Sequence, residues 1–186
     1  MAGDTQMRLE PWDDRGLDLQ RRANTPEMTV YLGGPEPDAA LLNRHERILA
    51  FAPGVGRMFL IMVPDAPDPV GSVGYWEKEW DGGTVYEMGW KVMPGFQGRG
   101  LAVRATVAAI GFAAAEGRHR WADAFPQVDN AASNGVCRKA GFTLLGECDF
   151  EFPKGNPIRC NDWRYDLSSL SGTRSGFVAG TSAAGT

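Results

Sequence analysis

The sequence predicts a single mixed α/β domain (α+β), a central, mostly antiparallel sheet with helices on both faces. Three observations predict it. Residues 57–63 form a near-continuous apolar run, as a strand covered on both faces does. Residues 70–80 and 84–92 flank Asp81-Gly82-Gly83, a hairpin turn that makes them antiparallel neighbours. Residues 101–116 repeat apolar side chains at helical spacing directly after a glycine-rich turn.

Residues 1–6 read as a loose leader. Residues 7–12 form a first strand, with Arg8 and Glu10 alternating against Leu9. Residues 14–23 form a helix that Asn24-Thr25-Pro26 breaks. A short apolar segment, 28–32, stops at Gly33-Gly34-Pro35. Residues 38–51 form a second helix, with Asp38 as its N-cap and Leu41, Leu42, Ile48 and Leu49 towards one face. The proline-rich stretch 64–69 is a rigid turn before the hairpin. In the helix 101–116, Val103, Val107, Ile110 and Ala114 are expected to face the sheet, and Gly117 ends it. Residues 120–125 form a strand. A short helix starts at Asp129 or Asn130 and stops at Gly141, and 143–152 and 158–167 make the final strand pair. The domain is therefore 7–167. Residues 168–186, rich in Ser, Gly, Thr and Ala, bury too little to offset the entropy of ordering and read as a flexible tail.

The 186 residues suffice for one domain with its own core. A net charge of −4 gives no electrostatic case for nucleic acid or an anionic membrane as partner, and is easier to reconcile with a cationic substrate. Cys137, Cys148 and Cys160 have no metal-ligand spacing, and only His45 and His119 are present, so no metal is expected. The N-terminus carries no signal-peptide pattern and no apolar run approaches a membrane span, which makes the cytoplasm the expected location.

The most informative stretch is Val92-Met93-Pro94-Gly95-Phe96-Gln97-Gly98-Arg99-Gly100-Leu101-Ala102. It joins a strand to a helix, and the first N–H groups of a helix lack partners and bind anions. It lacks the third glycine of a dinucleotide turn, because position 103 is Val103, and the Lys-Ser/Thr of a Walker loop. Gln97, Gly100 and Ala102 instead make Gln-x-x-Gly-x-Ala. This pattern resembles the acyl-CoA pyrophosphate loop of the GNAT superfamily of N-acetyltransferases. Downstream, Asn130-x-x-Ser133, a short helix and Gly141-Phe142 resemble the second CoA-contacting helix of the RimJ/RimL-type branch.

The resemblance implies acetyl-CoA as acyl donor, with succinyl-CoA or another acyl-CoA as alternative. It implies transfer to a primary amine of a small molecule or a protein N-terminus by direct attack. Backbone groups of Gly98, Arg99, Gly100, Leu101 and Ala102 would cradle the pyrophosphate, with Gln97 in the same loop and Arg99 or Arg104 supplying charge. The Val92 N–H would bind the thioester carbonyl where the strand bulges and splays. Glu87 stands where many members keep a general base; its other reading is an ion-paired strand carboxylate. Burial beside Trp90 and Tyr86 would raise its pKa. Many members also place a tyrosine where this chain has Cys137. The RimJ/RimL-type branch has instead a serine, matched by Ser133, to hydrogen-bond the leaving sulfur, and Asn130 would hold pantetheine. Asn130 and Ser133 also read as plain cap residues, and Cys137 as a buried helix cysteine.

On the acceptor side, Glu77, Glu79, Glu147, Asp149 and Glu151 recur at period two, either as a lure for a cationic amine or as the wet face of strands. Trp76, Trp80 and Tyr31 read as pocket walls, or as core or homodimer surface. A non-catalytic CoA-binding or peptide-binding domain on the same fold is the competing class.

Overall fold

The computed structural model describes residues 6–174. The strands are β1 (Arg8–Pro11), β2 (Gly56–Met62), β3 (Gly71–Trp80), β4 (Gly83–Val92), β5 (Trp121–Ala124), β6 (Thr143–Glu151) and β7 (Pro157–Asp166). They form one sheet in the order β1-β2-β3-β4-β5-β7-β6. All neighbours are antiparallel except β4 and β5, which run parallel. The helices are α1 (Arg15–Arg22), α2 (Asp38–Leu49), α3 (Leu101–Glu116) and α4 (Ala131–Ala140).

The apolar run in β2 serves two cores. Phe59 and Ile61 face Leu101, Ala105, Ala109, Ile110 and Ala113 of α3, together with Cys137 and Ala140 of α4. Leu60 and Met62 face Leu19 of α1. The helix face of α3 matches the expected one at Ile110 and differs at the other three positions. Val107 is exposed, Val103 and Ala114 are half-buried, and alanines take the sheet side because small side chains let the helix approach closely. In α2, Asp38 is the first helical residue after Pro37 and does not cap. It pairs with Arg21 of α1 at 2.7 and 2.9 Å. Leu42 and Leu49 are exposed, whereas His45 is buried because its Nδ1 accepts from Trp12 Nε1 at 3.0 Å.

Asp81 (φ +49°) and Gly82 (φ +76°) make the two-residue turn between Trp80 and Gly83, whose left-handed pair matches the twist of the strands. The segment 28–32 forms successive turns rather than a strand. Leu167, the last residue of the expected domain, is buried in the main core and opens a 3-10 helix, Leu167–Arg174, that takes in the first residues of the expected tail, 168–174. The rest of that tail, 175–186, and residues 1–5 of the expected leader lie outside the described residues.

β4 pairs with β5 at only two positions, Tyr86–Ala122 and Glu87–Asp123. Beyond Glu87 the two strands part. Asp123, fully buried at this junction, accepts two hydrogen bonds from Arg164 of β7, at 2.9 and 2.7 Å.

Candidate active site

β4 ends at Val92 and runs through a 3-10 turn, Pro94–Phe96, into α3. Gly98 (φ +75°) and Gly100 (φ +71°) sit in left-handed backbone, and a Cβ at either would meet nothing within 4 Å. Glycine is needed there for conformation, and the space beside it stays open. No side chain caps the N-terminus of α3, so its first N–H groups remain available. A groove of about 410 Å³ runs between this loop and α4, lined by Val92, Gln97, Gly98, Gly100 and Ala102 on one bank and Ala132 and Gly135 on the other. Leu101 is buried beneath it. Gln97 donates to Val92 O at 2.9 Å and so pins the loop to the strand. Arg99 lies across the Phe96 ring and pairs with Asp65 at 3.0 Å, an engagement that a phosphate would have to compete with.

Met93 N donates to Val70 O at 2.8 Å, across from β3. Alternation along β4 then turns the N–H of Val92 away from β3, into the gap left by β5. The β3–β4 register runs unshifted from Gly71–Val92 to Trp80–Gly83. The bulge expected at Val92 is thus absent, and strand divergence alone opens the gap.

On the face opposite α3 lies a second cavity, of about 420 Å³, whose lining includes Glu87, Asn130 and Ser133. Glu87 accepts from Trp76 Nε1 at 3.2 Å and lies 3.4 Å from Lys78 Nζ. Burial pushes its carboxyl above the usual range, against the opposing pull of Lys78 and Trp76. The direction is the one expected from burial, and the residues that contact the carboxylate are Trp76 and Lys78. The carboxylate is therefore both ion-paired and cavity-facing.

Asn130 caps α4, its side-chain oxygen accepting from Ser133 N at 3.1 Å. Asn134, buried, fixes this turn. It donates to Gln127 O and Asn130 O (2.9 and 2.8 Å) and accepts from Asn161 Nδ2 and Trp163 Nε1 (2.7 and 2.8 Å). Cys137 is fully buried, with its thiol pushed up to about 12 by desolvation.

A family model described as Acetyltransferase (GNAT) domain matches residues 6–143. The chain belongs to the GNAT acetyltransferase family. No curated protein sequence matches it. Among solved structures, this GNAT chain is similar to aminoglycoside acetyltransferase AAC(6')-Ib in complex with coenzyme A (TM-score 0.69, 17% identity, covering 91% of this chain and 100% of that one). It is similar to RimL, the ribosomal L7/L12 alpha-N-protein acetyltransferase, also with coenzyme A (0.70, 20%, 89% and 96%). A third is spermidine N-acetyltransferase from Vibrio cholerae with CoA and spermine (0.70, 17%, 88% and 96%). At these identities the likeness speaks to the fold.

The acidic stripe of this GNAT domain is partly neutralised by arginines. Glu77 pairs with Arg118 and His119, Glu147 and Asp149 share Arg159, Glu79 accepts from Thr84 and Glu151 from Gly155 N. Of the stripe, only Glu151 lines the cavity. Tyr31 and Trp76 do line it; Trp80 instead packs on Phe125 and Phe150 and donates to Asp162 at 2.9 Å. The sequence reading missed Lys91, which lines the cavity, and Asn134, which fixes the turn beside it. For Lys91 a signal existed: it follows Glu87 by four residues on one strand and so shares its face. Among the described residues no cluster of His, Cys, Asp or Glu suits a metal, and no helix is long and apolar enough to cross a membrane.

Proposed function

We propose that this domain is a RimJ/RimL-type N-acetyltransferase that moves an acetyl group from acetyl-CoA to a primary amine of a small molecule or a protein N-terminus. The observation that carries the reading is the parting of β4 from β5. β4 and the start of α4 each contribute to both cavities: Glu87 and Ser133 to one, Val92 and Ala132 to the other. A donor lying on the α3 side can thus meet an acceptor lying on the α1–α2 side.

The groove fits CoA: uncapped helix N–H groups and open glycines suit a pyrophosphate. Acetyl-CoA supplies the acyl group as a thioester. The other duties fall to this chain. Glu87 takes the proton from the acceptor ammonium, whose freed lone pair then forms the C–N bond. Its raised pKa makes it a better base than an ordinary surface carboxylate. The Val92 N–H donates to the carbonyl oxygen as negative charge gathers there. Ser133 donates to the sulfur as the C–S bond breaks, and Asn130, beside it, holds the pantetheine arm.

Calorimetric titration with acetyl-CoA, run beside succinyl-CoA and ATP, tests this. Binding of acetyl-CoA without ATP is expected. A stronger response to succinyl-CoA would reassign the donor, and no binding of either ester would refute the cofactor assignment.

A further inference from the structure

Strand geometry puts Glu87, Gly89 and Lys91 of β4 on one face, and the register sets Trp76, Gly74 and Ser72 of β3 directly opposite them. The middle pair are both glycines. Their space is taken by neighbours: a Cβ on Gly89 would come within 2.8 Å of the Trp76 ring, and one on Gly74 within 2.1 Å of Met58 Sδ. The cavity floor therefore has a carboxylate at one end, an indole in the middle and an ammonium at the other end. The Cα atoms of Glu87 and Lys91 are about 13 Å apart at the rise of an extended strand.

The cations that line this cavity differ in their commitments. Lys78 pairs with Glu87 and sits 4.4 Å above the Phe150 ring. Arg44 is taken by Glu36. Lys91, half-buried, makes no hydrogen bond or ion pair with any described residue. An ammonium in such surroundings gives up hydration with no carboxylate in contact; the opposing charge that acts on it, Glu36, is itself bonded to Arg44. The cost is visible in its pKa, pushed down to about 8 by desolvation and by Arg44, with Glu36 pulling weakly the other way, which leaves it mostly charged at neutral pH. Arg47, at the exposed rim of the same cavity, adds positive potential. Of the carboxylates expected to attract a cationic acceptor, Glu77, Glu147 and Asp149 are held by arginines elsewhere and Glu79 does not line the cavity; only Glu151 reaches it.

We propose that the acceptor is a small zwitterionic amine, in which an aromatic or apolar body separates the amine from a carboxylate, and that Lys91 receives that carboxylate while the amine lies at Glu87. The assignment rests on the acetyltransferase reading of the site. The indole between the two charged residues supplies a stacking surface for the body, and the incoming carboxylate supplies the directly bonded partner that Lys91 lacks among the described residues.

Matched pairs of ligands test it: para-aminomethyl-benzoate and the longer para-aminomethyl-phenylpropanoate, each against its own carboxamide. In the wild type, kcat/KM for at least one acid should exceed that of its amide about tenfold, as a charge-assisted hydrogen bond warrants. Lys91→Met should bring the ratio close to one, and Lys91→Arg should keep it. Because the ratio is internal to each variant, partial loss of folded protein leaves it unchanged. Ligand-observed NMR with the same pairs, without acetyl-CoA, should show the acid bound more tightly than the amide and the difference lost in Lys91→Met. Amides used or bound as well as the acids would overturn the proposal. So would a preference that survives Lys91→Met, or acids that are neither bound nor acetylated. If acetyl-CoA fails to bind while the acids bind through Lys91, the pocket assignment stands and the acetyltransferase reading falls.

Discussion

Replacing Asn134 by alanine should unhook α4 from β7, and the structure allows the cost to be worked out. Four hydrogen bonds disappear, but they are not equal. Gln127 O still accepts from Asn130 N, and Asn130 O from Asn134 N, each at 3.0 Å, so both carbonyls keep a partner. The Trp163 indole N–H does not: its residue is buried, and Asn134 Oδ1 is its acceptor. Orphaning that donor costs roughly 1–3 kcal/mol, and the half-buried Asn161 amide adds about 1 kcal/mol. The total is about 3 kcal/mol, or a Tm lowered by roughly 6–12 °C for a chain of this length. Urea unfolding of the wild type and of Asn134→Ala, Trp163→Phe and the double variant measures it. The double variant should lose clearly less than the sum of the singles, because removing the indole N–H as well abolishes the orphan. A loss under about 1 kcal/mol, or strict additivity, would refute the reasoning.

Glu87→Gln should lower kcat/KM by about 10²–10⁴ while leaving CoA affinity intact. Wild-type activity should fall as pH drops through the raised Glu87 pKa, since only the carboxylate accepts a proton, and the variant's pH profile should lack that limb; unchanged turnover would retire Glu87 as base. Gly100→Trp forces a side chain into left-handed backbone, at about 1–2 kcal/mol, and projects an indole into the groove; calorimetry should show CoA binding lost while the fold persists by circular dichroism. Cys137 and Cys160 have thiols pushed up to about 12 and Cys148 to about 11 by desolvation. Iodoacetamide at neutral pH should therefore label the native protein slowly and the unfolded protein at all three positions, as mass spectrometry will show. Asp123→Ala leaves Arg164 charged and half-buried without its bidentate partner, and should cost about 3–5 kcal/mol in denaturant unfolding.

The elements legible in the sequence are those whose local signal and tertiary role agree. The two-sided run of β2, the Asp81-Gly82 turn and the Asn130 cap all stand where periodicity and turn chemistry put them. Expectations failed where packing overrides hydrophobicity. On α3 the alanines displace valines from the sheet, because the spacing between layers favours small side chains. On α2 a histidine takes the inner face, because an indole N–H thirty-three residues earlier satisfies it. The candidate site shows the same division. Its loop, Glu87, Asn130 and Ser133 are contiguous with readable motifs. Asn134 acquires meaning only through partners on other elements, Lys91 stands on the face of Glu87 but its surroundings come from other elements, and much of the apparent acidic stripe dissolves once Arg118 and Arg159 are seen beside it.

The short contact between β4 and β5 has a consequence for how such a protein can drift. Two paired positions hold the strands together, and past them the sheet offers peptide N–H groups of its own to whatever enters. Every residue but proline carries that N–H. On the proposed reading, the donors to the phosphates and the thioester carbonyl are main-chain groups, and these are insulated from most single codon changes, which alter what surrounds them without deleting them. Selection can rework the aromatic walls and the stray ammonium of the neighbouring chamber while the acyl-handling half stays serviceable. New acceptor preferences should then arise by few substitutions, clustered on the α1–α2 side of the sheet, with the glycine turn and the end of β4 left alone.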